Sequence, residues 1–160
     1  MDQNQAVDHF QLISPAFAEG AEISAQYTCR GDNVSPPLVI SGVPKGAKSL
    51  VLIMHDPDAV RVAGIDFVHW LMWDIPSSTE TINASSVPVG AVQGPNSSAQ
   101  KGYTGPCPPA GTGVHHYLFE LYALDTALTL PPDTNRQKLE AAMDGHIIGR
   151  HTLTGIVNAD

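Results

Sequence analysis

Cysteine is almost missing from this chain, which has two in 160 residues, Cys29 and Cys107. Their separation fits neither a paired zinc site nor a redox dithiol, because both need cysteines about two residues apart. Two readings stand: a pair of buried thiols, or a disulfide between the Gly/Pro-rich segments "TCRGD" and "GPCPP". Basic residues are scarce as well. Eight Lys+Arg against 16 Asp+Glu leave a formal charge of -8, which excludes a broad cationic face for nucleic acid or for an anionic membrane surface. No apolar run approaches the roughly 18 residues that a spanning helix requires. The first residues, "MDQNQAVDHFQLISPAF", lack the basic cluster and apolar stretch of an export signal. A cytoplasmic protein without a membrane span is therefore expected. G-x-S-x-G, the phosphate-binding P-loop and a G-x-G-x-x-G following a strand are all absent, and "GTG" at Gly111 to Gly113 runs straight into a strand pattern.

What is present are turn formers: 14 Gly and 13 Pro are spread along the chain, which argues for many short elements and against long helices. "SLVLIMH" (Ser49 to His55), "FVHWLMW" (Phe67 to Trp73) and "HHYLFELYAL" (His115 to Leu124) read as three strands, rich in branched and aromatic residues and bounded by turn signals. Weaker strands are expected at Ile23 to Cys29, Leu38 to Ser41 and Leu153 to Val157. One helix follows Pro131-Pro132. Thr134 with Gln137 makes a capping pair, Leu139, Ala142 and Met143 form a narrow apolar stripe, and Gly145 closes it. No internal repeat or linker appears, so residues 1–160 read as a single domain dominated by β structure. Val87 to Gly113 is the longest stretch without a pattern, and such a loop is usually functional or mobile.

Chemistry gathers in three places: His55-Asp56-Pro57-Asp58, Asp66-x-x-His69-Trp70, and "GPCPPAGTGVHHY" from Gly105 to Tyr117. If the three long strands are antiparallel neighbours, the exit of the first and the entries of the other two share one edge, and these groups converge. Alternation puts His69 on one face with Phe67, Leu71 and Trp73, where Asp56 or Asp58 can accept a ring N–H and favour the cation. His115 and Tyr117 share a face of the third strand. With the amides of the glycine-rich turn they make a concave set of donors suited to an anion such as phosphate, whose binding is expected to weaken as pH rises through the histidine range. The bland alternative for His69 is a core histidine satisfied by a backbone carbonyl. His69, His115, His116 and Asp56 are also metal-ligand types, but no spacing among them commits a geometry, so no metal and no cofactor are expected. Ser97 and Ser98 lie near the clusters with no sign of a partner base, so a hydrolase is not expected.

Together these motifs resemble the phosphatidylethanolamine-binding protein family, in its branch of small bacterial and archaeal members. "YTCRGDNVSPPL" (Tyr27 to Leu38), "DPDA" after "SLVLIMH", "FVHW", "GYTGPCPPAGTGVHHYLFELYALD" and "LTG" (Leu153 to Gly155) follow the family's order along nearly the whole chain. The resemblance implies an antiparallel β-sandwich with one or two short helices and a shallow pocket at one end. It implies a small anionic ligand or phospholipid headgroup, such as phosphoethanolamine, held by Asp56, Asp58, His69, Gly105, Pro108, His115 and Tyr117, with no catalysis. It also implies protein partners, a kinase or a serine protease to be inhibited, and a homodimer remains open. Val60 stands where many members have a second proline. His116 stands where many have arginine, which is expected to forfeit an outer salt link. The sequence does not extend into the longer carboxyl-terminal helix of animal members, so kinase regulation on their pattern is not expected.

Overall fold

Ser49 to Met54 carries apolar side chains at consecutive positions rather than alternate ones, and a strand of that kind must be covered on both faces. The computed structural model, which describes residues 9–160, builds around it. In chain order the strands are β1 (Gln11–Ile13), β2 (Leu38–Ser41), β3 (Ser49–Asp56), β4 (Phe67–Pro76), β5 (Thr81–Ile82), β6 (Val92–Gln93), β7 (Val114–Leu124) and β8 (Ile147–Asn158), with helices α1 (Val60–Ala63) and α2 (Arg136–Met143). They form two antiparallel sheets, one ordered β1-β2-β5 and one ordered β6-β4-β3-β7-β8. Every residue of β3 is buried.

One face of the large sheet packs on the small sheet: Leu50, Leu52 and Met54 of β3 and Phe119 and Leu121 of β7 meet Leu12, Leu38, Ile40 and Ile82. The other face, with Val51, Ile53, Leu71 and Trp73, is covered by Leu139 and Met143 of α2 and by Leu128. Burying a side chain of this size contributes roughly 1.5–3 kcal/mol, so both layers are needed to hold β3. The fold is thus dominated by β structure, a sandwich with two short helices, as the sequence implies. The three long strands occupy the expected places, with β3 between β4 and β7.

Four local expectations change. Ile23 to Cys29 is no strand: Ala25–Tyr27 is a short 3-10 turn, and Thr28 Oγ1 donates back to the Ala25 carbonyl at 2.9 Å, a local bond that competes with a ladder. The cap of α2 is Asn135, one residue beyond Thr134, with its side chain accepting from Lys138 N at 2.9 Å; Thr134 instead donates to the Pro131 carbonyl at 2.6 Å. The final strand begins at Ile147, six residues before Leu153. The stretch Val87 to Gly113 is pinned rather than structureless. It contains β6, a Pro95–Lys101 bridge, and Asn96, whose side chain donates to the Gly102 carbonyl at 3.0 Å.

Candidate functional site

Asp56 is the last residue of β3, and the chain then turns through Pro57–Ala59 directly into α1. The register of β3 with its neighbours aligns Met54 with Trp70 and with Phe119, and His55 with Leu118, so the end of β3 lies beside His69 on one side and Tyr117 on the other. The β3–β4 ladder skips one residue there: Met54 pairs with Trp70, but His55 pairs with Val68. His69 is the extra residue of this bulge, a device that re-aims one side chain. It therefore does not follow Leu71 and Trp73 onto the α2 face, as strict alternation requires. Its ring lies 4.6 Å from that of Phe67 and 5.2 Å from that of Tyr117, on the opposite face.

A cavity of about 240 Å³ opens at this end of the large sheet. Its polar groups are Asp56, His69, His115 and Tyr117, joined by Ser98 and Thr104. Its apolar wall comes from Ala59, Val62 and Ala63 of the turn and α1, from Phe67, and from Pro108 and Pro109. Gly105 and Cys107 complete the lining. Six of the seven site residues expected from the sequence thus meet around one cavity. Asp58 does not line it. Its Oδ2 accepts from both the backbone N and the Nδ1 of His116, at 2.7 and 2.8 Å. Burial works against the Asp58 charge, but these bonds outweigh it and hold the carboxyl below its ordinary value. His116 therefore keeps an outer link of the kind expected from arginine, and Val60 begins α1 where a second proline was the family pattern.

The bracing differs from expectation. Asp56 holds His115, not His69: Oδ2 accepts from His115 Nδ1 at 2.7 Å, while His115 Nε2 lies 2.9 Å from Thr112 Oγ1. His69 donates Nδ1–H to the Thr104 carbonyl at 2.6 Å, the bland alternative for this ring. Burial drives its pKa down to about 4, against the pull of that bond and of Asp56, so the ring is neutral at ordinary pH and supplies no cation. Burial also pushes the Tyr117 phenol up, and the nearby Asp56 charge adds to the effect. The two groups are close enough for the Tyr117 hydroxyl to interact with the Asp56 carboxylate, which raises the phenol further, while Asp56 Oδ1 has no well-aligned hydrogen-bond partner among the described residues.

Gly105 is required by close approach. A Cβ there would stand 2.3 Å from the Tyr27 carbonyl oxygen and 2.4 Å from Asn33 Oδ1. Its N–H donates to Asn33 Oδ1 at 2.8 Å and is not free for an anion, contrary to the expectation that loop amides contact the ligand. The loop is further tied down by the Cys29–Cys107 disulfide, which decides between the two readings of the cysteines. Sequence reasoning missed Thr104 and Thr112, which fix the two imidazoles, and the wall from α1; only the proximity of "DPDA" to "VRVA" hinted at the latter. Among the described residues no three His, Cys, Asp or Glu side chains come together as a metal site.

An antiparallel sandwich with a cavity built at the strand ends of its larger sheet defines a small ligand-binding architecture. Comparison with known proteins makes it specific. The profile described as phosphatidylethanolamine-binding protein matches residues 13–158, and the chain belongs to this family. It is 44% identical over 150 residues to a protein of Methanothermobacter thermautotrophicus labelled UPF0098, covering 91% of this chain and 96% of that one. Similarity extends to LppC of Mycobacterium tuberculosis, 43% identical over 150 residues, covering 94% of this chain and 73% of a protein whose name makes it a candidate lipoprotein. Among solved structures, a phosphatidylethanolamine-binding protein homologue from Chlamydia trachomatis superposes with a TM-score of 0.87 at 40% identity, over 94% of this chain and 98% of the other. E. coli YbcL, described as a new member of the mammalian family, gives 0.87 at 29% identity over 94% and 99%. No helix among the described residues is long and apolar enough to cross a membrane.

Proposed function

We propose that this protein is a non-catalytic binding protein whose cavity takes a small anionic group: phosphate, a phosphomonoester or a phosphoethanolamine headgroup. The observation that carries the reading is the convergence of Asp56, His69, His115 and Tyr117 on one cavity with apolar walls, a small set of polar groups in an otherwise greasy hollow. Tyr117 offers a hydroxyl donor, and the walls suit the carbon part of a headgroup. Calorimetric titration with inorganic phosphate and with phosphoethanolamine tests it. Binding that is lost in Tyr117→Phe and His115→Gln supports the reading, and absence of heat and of competition for either ligand overturns it.

One arrangement favours a catalytic alternative: Asp56, His115 and Thr112 stand in the order of an acid, a base and a hydroxyl nucleophile, with contacts of 2.7 and 2.9 Å. Against it, Thr112 Oγ1 donates its proton to the Pro109 carbonyl at 2.7 Å and does not line the cavity. Hydrolysis of p-nitrophenyl esters by the wild type that vanishes in Thr112→Val would establish the alternative.

The Cys29–Cys107 disulfide bears on where the chain works. Such bonds persist in oxidising compartments and are rare in a reducing cytoplasm, hyperthermophile proteins apart. An oxidising compartment fits this chain better than the cytoplasm expected from its sequence, and the lipoprotein name of LppC agrees. Alkylation of the protein taken directly from cells, read by mass, checks this: two free thiols return it to the cytoplasm.

A further inference from the structure

The cavity presents acceptors where an anion site needs donors. Asp56 is 3% exposed, and its Oδ1 meets no partner among the described residues, while Oδ2 is occupied by His115. A native fold keeps a buried polar atom unanswered only where something else answers it. His69 adds a second acceptor. Its Nδ1 proton goes to the Thr104 carbonyl, so on this neutral ring Nε2 carries a lone pair. His115 Nε2 is engaged with Thr112, which leaves the Tyr117 hydroxyl, itself beside the Asp56 carboxylate, as the side-chain donor among these four residues that a ligand can share.

Building on the phosphate-binding reading, we propose that the cavity selects a tetrahedral monoanion that brings its own acidic proton, dihydrogen phosphate or a singly protonated phosphomonoester, and rejects fully ionised anions such as sulfate. The P–OH of the ligand donates to Asp56 Oδ1, and its other oxygens accept from Tyr117. Sulfate has no proton to give. It sets lone pair against lone pair at Asp56 and at His69, and a site with polar groups left unpaired rejects such an analogue strongly. The charges that reach this floor agree. Asp56 comes from β3, His115 and Tyr117 from β7, His69 from β4, and the charges of Asp58 and Asp66 act on Tyr117 and His69, with His55 and Asp66 opposing each other. A chain of net charge -8 tolerates one ligand charge here more easily than two.

The test is calorimetric titration of the whole chain with inorganic phosphate, methyl phosphate and sulfate at about pH 5.5 and about pH 8.5, at fixed ionic strength, bracketing the second phosphomonoester pKa of about 6. Phosphate is expected to bind at least about tenfold more tightly than sulfate at the lower pH, the worth of one charged hydrogen bond. Methyl phosphate is expected to weaken by at least about tenfold at the higher pH, as its second proton leaves. A histidine-driven effect instead weakens sulfate in parallel, and that outcome overturns the proposal. In Asp56→Asn the amide oxygen keeps the His115 bond and the amide N–H faces the cavity, so sulfate gains and the phosphate preference disappears. If that variant fails to fold by circular dichroism, the wild-type ratio and its pH course still decide. Equal wild-type affinities for phosphate and sulfate at the lower pH refute the proton requirement and leave anion binding standing. Binding of none of the three at millimolar concentration removes both this inference and the function on which it rests.

Discussion

Removing the Cys29–Cys107 bond is the perturbation whose size follows most directly from the fold. The bond closes a loop between residues 78 apart. By the chain-entropy relation, releasing a loop of that length lowers stability by about 4.5 kcal/mol at 25 °C, near the top of the usual range. The native junction does not depend on the bond alone. Cys29 N donates to the Pro106 carbonyl at 3.1 Å, Tyr103 Oη to the Tyr27 carbonyl at 2.6 Å, and Gly105 N to Asn33 Oδ1 at 2.8 Å. Cys29→Ser/Cys107→Ser is therefore expected to fold to the same structure with most of its margin gone, since whole domains hold only about 5–15 kcal/mol. Guanidinium unfolding, followed by the fluorescence of buried Trp70 and Trp73, measures this. The wild type in reductant should match the double variant, and both should sit about 2–5 kcal/mol below the oxidised protein. Because Cys107 lines the cavity, phosphate affinity should fall with the same change. A loss under about 1 kcal/mol, or a wild type indifferent to reductant, would mean that the unfolded chain does not gain the freedom the loop denies it.

Other perturbations test other layers. His55 is buried, which disfavours its charge, yet hydrogen bonds to Glu120 and Asp66 outweigh burial and raise its pKa; its stabilisation is present below about pH 6.5 and fades as pH rises through the higher folded value. Glu120 is held down to about 2, first by that same His55 bond, so its contribution is lost as pH falls from its ordinary value toward the folded one. Glu120→Gln should flatten both limbs of the unfolding midpoint against pH and cost about 1–3 kcal/mol between them; an unchanged profile would place the coupling elsewhere. Gly105→Ala drives a Cβ against backbone and should cost about 1–3 kcal/mol in thermal unfolding and weaken phosphate binding. Leu139→Ala, at a fully buried position of α2, should cost about 2–5 kcal/mol in denaturant unfolding while leaving the cavity on the opposite sheet face able to bind.

The local pattern was legible in the order of residues alone. The apolar run of β3, the alternation of β7 and the turn formers between them defined three long strands. Antiparallel neighbours then had to bring Asp56, His69, His115 and Tyr117 to one edge, because exits and entries of such strands coincide. The tertiary structure alone decided how those groups are used. The skipped residue at His69 is invisible to alternation, since a bulge arises from the pairing of two strands rather than from either one. Whether Asp56 braces His69 or His115 depends on distances across strands, as does the loss of the Gly105 amide to Asn33, 72 positions away. The two cysteines remained two readings until the fold closed the interval between them, because a covalent partner is fixed by proximity in space and spacing along the chain carries no record of it.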